Sequence, residues 1–153
     1  MKKILLGFFC LVLVFSMISC DTDSGDDFEP NEFELRVFEL TNAERTNQGI
    51  LPLEWDNRLG MAARAHTEDM AQNNFLSHTG SDNSNPSERI TRAGFSLITS
   101  AENVARGQVT PAAVISSWMN SPRHRDNILN PDLTHLGVGF VNNFWTQKFG
   151  TPR

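Results

Sequence analysis

The order of local signals along the chain predicts an α+β fold. Helical periodicities with clear caps come first, short strand signals are scattered between them, and the strongest alternating, aromatic-rich segments close the chain. Asn142-Asn143 between the last two of these segments supplies a tight hairpin turn. At 153 residues the chain has room for one domain.

The N-terminus reads as an export signal. Met1-Lys2-Lys3 precedes an apolar run from Ile4 to Ile18, broken only by Gly7 and Ser16 and followed by a small residue before Cys20. The run is too short and too close to the terminus to be a comfortable permanent span. Met17-Ile18-Ser19-Cys20 looks like a bacterial lipobox, with Met at the place usually held by Leu. Residues 1–20 are therefore expected to be a lipoprotein signal peptide ending at a lipidated Cys20. The plainer alternative is an ordinary cleavable signal with a free thiol. A diacylated cysteine suits stable anchoring, because one chain alone holds a protein only marginally at a membrane.

Cys10 leaves with the signal and Cys20 carries lipid, so the mature domain has neither disulfide nor cysteine nucleophile. Its stability must come from a packed core. Two of the 13 basic residues, Lys2 and Lys3, fall in the leader, and seven of the 18 acids lie between Asp21 and Glu34. Residues 21–31 are thus expected to be an acidic, disordered tether. The domain that follows, residues 32–153, is near neutral, which argues against a nucleic-acid partner.

Within the domain, Asn31 can cap a helix over 32–47, with Phe33, Leu35, Val37, Phe38 and Leu40 at helical spacing and Gly49 as the stop. Leu51–Trp55 reads as a connector with apolar anchors. Asp56 can cap a helix over 57–73 whose apolar stripe includes Leu59, Ala63, His66 and Met70, so His66 is expected to be a hydrogen-bonded core residue. Residues 74–85 are loop-rich. Asn85-Pro86-Ser87-Glu88 reads as a capping box opening a helix over 86–93, which explains Glu88 without a catalytic role. Phe95–Thr99 suits a short strand. Thr110-Pro111 opens a helix carrying Val114, Ile115, Trp118 and Met119, and Pro122 begins a shorter one to Leu129. Leu136–Val141 and Phe144–Phe149 form the closing hairpin.

His78 lies in a polar loop, Glu102 in Ala101-Glu102-Asn103, and His124 at a helix start. Two imidazoles and a carboxylate are residue types that hold divalent metals, above all Zn²⁺. The plain alternative is a pair of scattered surface histidines, since there is no HExxH and no cysteine pair. There is also no GxSxG elbow and no glycine-rich phosphate loop.

Six segments then occur in a distinctive order: Asn42–Arg45, Phe75–Thr79, Ala101–Ala105, Trp118–Leu129, Gly137–Gly139 and Trp145–Gly150. Together they resemble a bacterial domain of the CAP superfamily, that of cysteine-rich secretory, antigen 5 and pathogenesis-related proteins. The resemblance covers roughly residues 32–150. It implies an α-β-α sandwich with a central antiparallel sheet and a cleft carrying two histidines and two acids. Ser77-His78-Thr79 matches the first histidine, Glu102-Asn103 the first acid, and the His124–Leu129 stretch the second histidine. The second acid's place is Ser121 here, so Glu88 or Asp126 would have to substitute.

The leader and the lipobox at Cys20 imply a membrane-anchored, extracytoplasmic protein of the cell envelope. Its expected role is a binding module for a lipid, cell-wall or protein ligand through the cleft at His78, Glu102 and His124. The alternative is a metal-dependent hydrolase with zinc held by His78 and His124.

Overall fold

A computed structural model describes residues 28–153; the signal peptide, Cys20 and the tether as far as Asp27 lie outside the described residues. Helix α1 spans Glu32–Asn47, strand β1 Glu54–Trp55, α2 Asn57–Gln72, α3 Pro86–Arg92, β2 Leu97–Arg106, α4 Pro111–Met119, α5 Pro122–Ile128, β3 His135–Val141 and β4 Phe144–Pro152.

The caps read from the sequence are the ones that form. Asn31 and Glu34 make a reciprocal capping box, Asp56 accepts from the amides of Arg58 and Leu59, and Asn85 and Glu88 make a second box. Each supplies acceptors to amides that the first helical turn leaves unpaired. Glu88 is thereby accounted for by the helix start. Phe28, at the end of the expected tether, lies against the domain, with the Arg64 guanidinium 4.1 Å from its ring centroid.

The four strands form one sheet in the order β1-β3-β4-β2. β3, β4 and β2 are antiparallel, whereas the two-residue β1 adds in parallel beside β3. The sheet is therefore antiparallel except at this edge. β1 falls in what the sequence marked only as a connector. The hairpin turns on Asn142 and Asn143 with φ of 50° and 63°, the left-handed pair that a two-residue turn matched to strand twist requires. β2 departs furthest from expectation. It does not end at Thr99 but runs to Arg106, so Glu102 and Asn103 sit mid-strand, paired with Lys148 and Gln147 of β4.

Strand parity divides the sheet into two faces. Ala105, Trp145, Phe149, Leu136 and Val138 meet Val37, Val114, Ile115, Trp118 and Ile128 in the main core, under α1, α4 and α5. The opposite face carries Glu102, Thr146 and Lys148 together with Gly137 and Gly139. It is covered by α2 and α3, where Leu59, Ala62 and Ile90 form a smaller cluster with Phe95 of the loop after α3. The result is the helix-sheet-helix sandwich expected from the resemblance.

Arg45 closes one end of the first layer. Fully buried, it donates to the carbonyls of Leu51, Ile128, Asn130 and Leu133, tying α1 to the loop before β1, the end of α5 and the loop before β3. Close packing of the second layer depends on glycine. A Cβ at Gly137 would overlap the backbone of Leu59 and Gly60, and one at Gly139 would come within 2.5 Å of Ala63 C and Arg64 N.

Gly139→Ala is expected to push α2 off the sheet and cost about 3 kcal/mol, at the upper end of overpacking effects. Thermal and denaturant unfolding of the variant checks this; a change under about 1 kcal/mol would mean that helix and strand are less closely seated.

Candidate functional site

The site grows from the cross-strand pair Glu102–Lys148 on the α2/α3 face of the sheet. The Glu102 side chain is 2% exposed and that of Lys148 not at all. A carboxylate so placed loses its hydration and must be compensated by donors. Lys148 Nζ forms an ion pair with Oε2. Arg89 of α3 brings Nη2 to 3.1 Å from Oε2. His78 brings Nδ1 to 2.8 Å from Oε1 from the loop before α3. His66 of α2, in hydrogen-bond contact with the Ser77 carbonyl at 2.9 Å, stands 4.0 Å from Oε1.

Burial alone would raise the Glu102 pKa. The hydrogen bond from His78 and the charge and hydrogen bond of Lys148 overcome it and bring the pKa down to about 2. Lys148 moves the other way relative to a stable cation: burial lowers it to about 8 in spite of Glu102. Glu102 is thus firmly ionised, and its partner is a cation that burial makes easier to discharge. His66 is lowered by burial, which Glu102 partly opposes. Burial therefore favours its neutral form.

The structure brings His78 and Glu102 into direct contact. Because the acceptor is an ionised carboxylate, Nδ1–H of His78 is the donor, which leaves Nε2 free for another partner. The side chain is 54% exposed. His124 is placed differently. It belongs to α5 in the opposite helical layer, and its carbonyl accepts from Asn103 Nδ2 at 3.1 Å. Because β2 is the edge strand, α5 reaches the site around that edge. Half-buried His124 has its pKa lowered by burial and also by the nearby charge of His78. The two imidazoles therefore share a neighbourhood, while only His78 touches the carboxylate. A cleft of about 530 Å³ opens along the β2 edge, lined by His78, Pro86, Ser87, Ser100 and Glu102.

Arg89 and Lys148 were missed by sequence reasoning. Lys148 carried a faint signal: a lone cation inside the aromatic run Phe144–Phe149, on a strand flanked by others on both sides. Arg89 gave none that separated it from an ordinary charge in a helix's last turn.

Zinc is the ion that the residue types suggested, and the geometry does not suit it. Both carboxylate oxygens of Glu102 are occupied by protein donors, and an ion there would displace a buried lysine. Among the described residues no group of three or more His, Cys, Asp or Glu is arranged to hold a metal ion. Glu88 is committed to its helix cap.

Fold and site together define a small sandwich domain with a carboxylate-anchored histidine in a cleft at its sheet edge. The sequence profile of the "Cysteine-rich secretory protein family", CAP, matches residues 38–149. The chain is 46% identical over 119 residues to the uncharacterized protein YkwD of Bacillus subtilis (strain 168), covering 76% of this chain and 46% of that one. It is 36% identical to the uncharacterized membrane protein YlbC of the same organism, covering 76% and 34%. Among solved structures, an extracellular protein containing an SCP domain from Bacillus anthracis str. Ames superimposes with a TM-score of 0.75 at 33% identity, over 76% of this chain and 39% of that one. An outer surface protein from Borrelia burgdorferi shares the fold, with a TM-score of 0.70 at 23% identity over 76% and 90%. The chain belongs to the CAP family. It spans less than half the length of the two Bacillus subtilis relatives and of the Bacillus anthracis protein.

Two outcomes follow from the buried pair. Lys148→Met leaves Glu102 short of a cation and should cost about 3–5 kcal/mol, whereas the double variant Glu102→Gln/Lys148→Met should cost much less than the sum of the single changes. A double-mutant cycle in urea reads this coupling. The folded Glu102 pKa lies below its ordinary 4.5, at about 2. Its contribution is therefore complete above pH 4.5 and drains away as pH falls toward 2. In Glu102→Gln that part of the acid-induced loss should vanish.

Proposed function

We propose that this protein is a lipid-anchored, extracytoplasmic binding module. Its ligand, a lipid, cell-wall component or protein segment, enters the cleft at the β2 edge and is held by His78, Glu102 and His124. The observation that carries this reading is the saturation of Glu102. A carboxylate with a pKa of about 2, enclosed by Lys148, Arg89 and His78, is a poor proton acceptor near neutral pH. It works instead as a fixed anchor that orients the His78 ring and leaves Nε2 free for a ligand.

The extracytoplasmic setting is supported by the leader ending at Cys20 and by two relatives, one named as extracellular and one as a membrane protein. Among the described residues no helix is long and apolar enough to cross a membrane; the attachment in this reading is lipid on Cys20. Cys20→Ser should move the chain from the membrane to the soluble fraction, and intact mass should lose the added lipid. A variant that stays on the membrane would overturn the anchor.

A second reading, a hydrolase in the same cleft, draws on the His78–Glu102 pair, which resembles an oriented general base. No step through a metal is derived for it, because the donors do not suit one. One experiment separates the two readings. The full chain is purified from its membrane, bound molecules are identified by mass spectrometry, and ester and peptide libraries are tested beside the His78→Ala/His124→Ala variant. A molecule that co-purifies with the wild type and is lost in the variant, without turnover, is the expected result. Hydrolysis above the variant's background would replace the binding reading with the enzymatic one.

A further inference from the structure

Strand β2 is an edge of the sheet, on the side where the cleft opens. An edge strand turns the backbone groups of every second residue away from its neighbour. The regular register with β4 runs from Thr99 to Arg106, and the Gly107 N–H just beyond it donates to the Asn143 carbonyl. Odd-numbered residues of this stretch therefore bond toward β4, and Ser100, Glu102 and Val104 face outward.

The outward carbonyls are not treated alike. Trp118 Nε1 of α4 donates to that of Val104 at 3.3 Å, and Asn127 Nδ2 of α5 donates to that of Glu102 at 3.3 Å. Two helices of the opposite layer thus close this half of the edge with side chains. At Ser100 the closure stops. Among the described residues nothing outside the sheet bonds to its N–H or C=O, and its hydroxyl meets Ser87 Oγ at 3.2 Å.

Sheet proteins guard their edges with Lys, Pro, charged side chains or bulges. Leu97-Ile98-Thr99-Ser100-Ala101 holds no charged residue and no proline. A bulge between Leu97 and Thr99 ends the regular edge on one side, and the Asn127 contact ends it on the other. The window between them runs along the cleft, which Ser100 and Ala101 line together with Ser87 and His78. Ile98, 66% exposed, adjoins it in the same strand.

We propose that the ligand of the cleft is an extended protein segment, which adds to the sheet as a short further strand at Ser100. This rests on the binding reading given above. The open groups are a main-chain donor and acceptor at strand spacing, the complement of a second main chain. A hydrocarbon tail offers neither partner, and a sugar ring does not repeat donor and acceptor at that spacing. The bulge and Asn127 confine the pairing to Thr99–Glu102. Main-chain hydrogen bonds then supply the affinity, and His78 and Ser87 line the cleft where the segment's side chains enter.

The test uses the full chain, ¹⁵N-labelled and held in detergent, titrated with the peptide Thr-Val-Thr-Val-Thr blocked at both ends. Saturable amide shifts centred on residues 99–102 are expected. The same peptide N-methylated at every internal amide keeps its side chains and loses its donors, and it should bind about tenfold or more weakly. Ser100→Pro removes the outward N–H at a place where an edge strand tolerates proline. It should fold and bind the parent peptide about tenfold or more weakly. If that variant does not fold, the comparison of the two peptides decides the matter alone. Absence of saturable shifts at 99–102, or equal binding of both peptides, would overturn the proposal. So would shifts there that follow protein concentration without peptide, because a second copy of the chain would then hold the edge. Cleavage of the bound parent peptide, read from its own signals, would instead replace the binding reading with the enzymatic one and leave the strand pairing in place.

Discussion

Burial of one carboxylate governs the architecture of this domain. Glu102 sits mid-strand beneath two helices, where an unpaired charge would be prohibitively costly. Every neighbouring element contributes to its compensation: β4 through Lys148, α3 through Arg89, the loop after α2 through His78, and α2 through the more distant His66. These contacts fix how α2 and α3 lie on the sheet and hold the loop between them in place. A replacement of the pair by apolar residues of similar volume would be tolerated energetically better than the loss of either member. The pair therefore specifies arrangement more than it supplies stability.

Seating α2 close enough for this to work is a matter of missing side chains. Gly137 and Gly139 lie on the same face of β3, and the backbone of α2 from Leu59 to Arg64 rests where their Cβ atoms would be. Glu34 ties the two helical layers at the neighbouring strand end. It caps α1, forms an ion pair with Arg64 of α2 and accepts from the Phe140 amide at 3.1 Å. On the opposite face a neutral network does comparable work. Asn103 binds Gln147, and Gln147 binds Thr41 of α1. Asn127 of α5 donates to Asn103 Oδ1. Adjacent residues of β2 thus serve different layers, Glu102 the ionic one and Asn103 the neutral one.

Much of this was legible because local physics decides it. Asn31, Asp56 and Asn85 cap the helices they were expected to cap, and Asn142-Asn143 turns the hairpin, since short-range hydrogen bonding and φ preferences do not depend on the rest of the fold. The extent of β2 was not legible. Leu97–Arg106 has little apolar alternation, because its two faces meet an ionic cluster and an amide network in place of aliphatic cores. His78, Glu102 and His124 stood out by residue type and by resemblance. Arg89 and Lys148 did not, because nothing along the chain says that a helix and a strand separated by 59 positions aim their cations at one carboxylate. β1 escaped for a related reason: two residues make a strand only when β3 is beside them.

The placement of the two histidines gives the cleft its character. His78 is fixed from below by a permanent anion, whereas His124 arrives around the sheet edge from the other helical layer and has no bond to that anion. Their pKa coupling has one sign: the charge of His78 lowers that of His124. A charge on His78 thus favours the neutral form of His124, in the same direction as its burial. A ring held by a carboxylate thus lines the cleft, while the second ring belongs to a helix of the other layer that is tied to β2 through Asn103. The carboxylate that anchors His78 is also the one that seats α2 and α3 on the sheet, so the orientation of the ring that faces the cleft is set by the same contacts that order the fold.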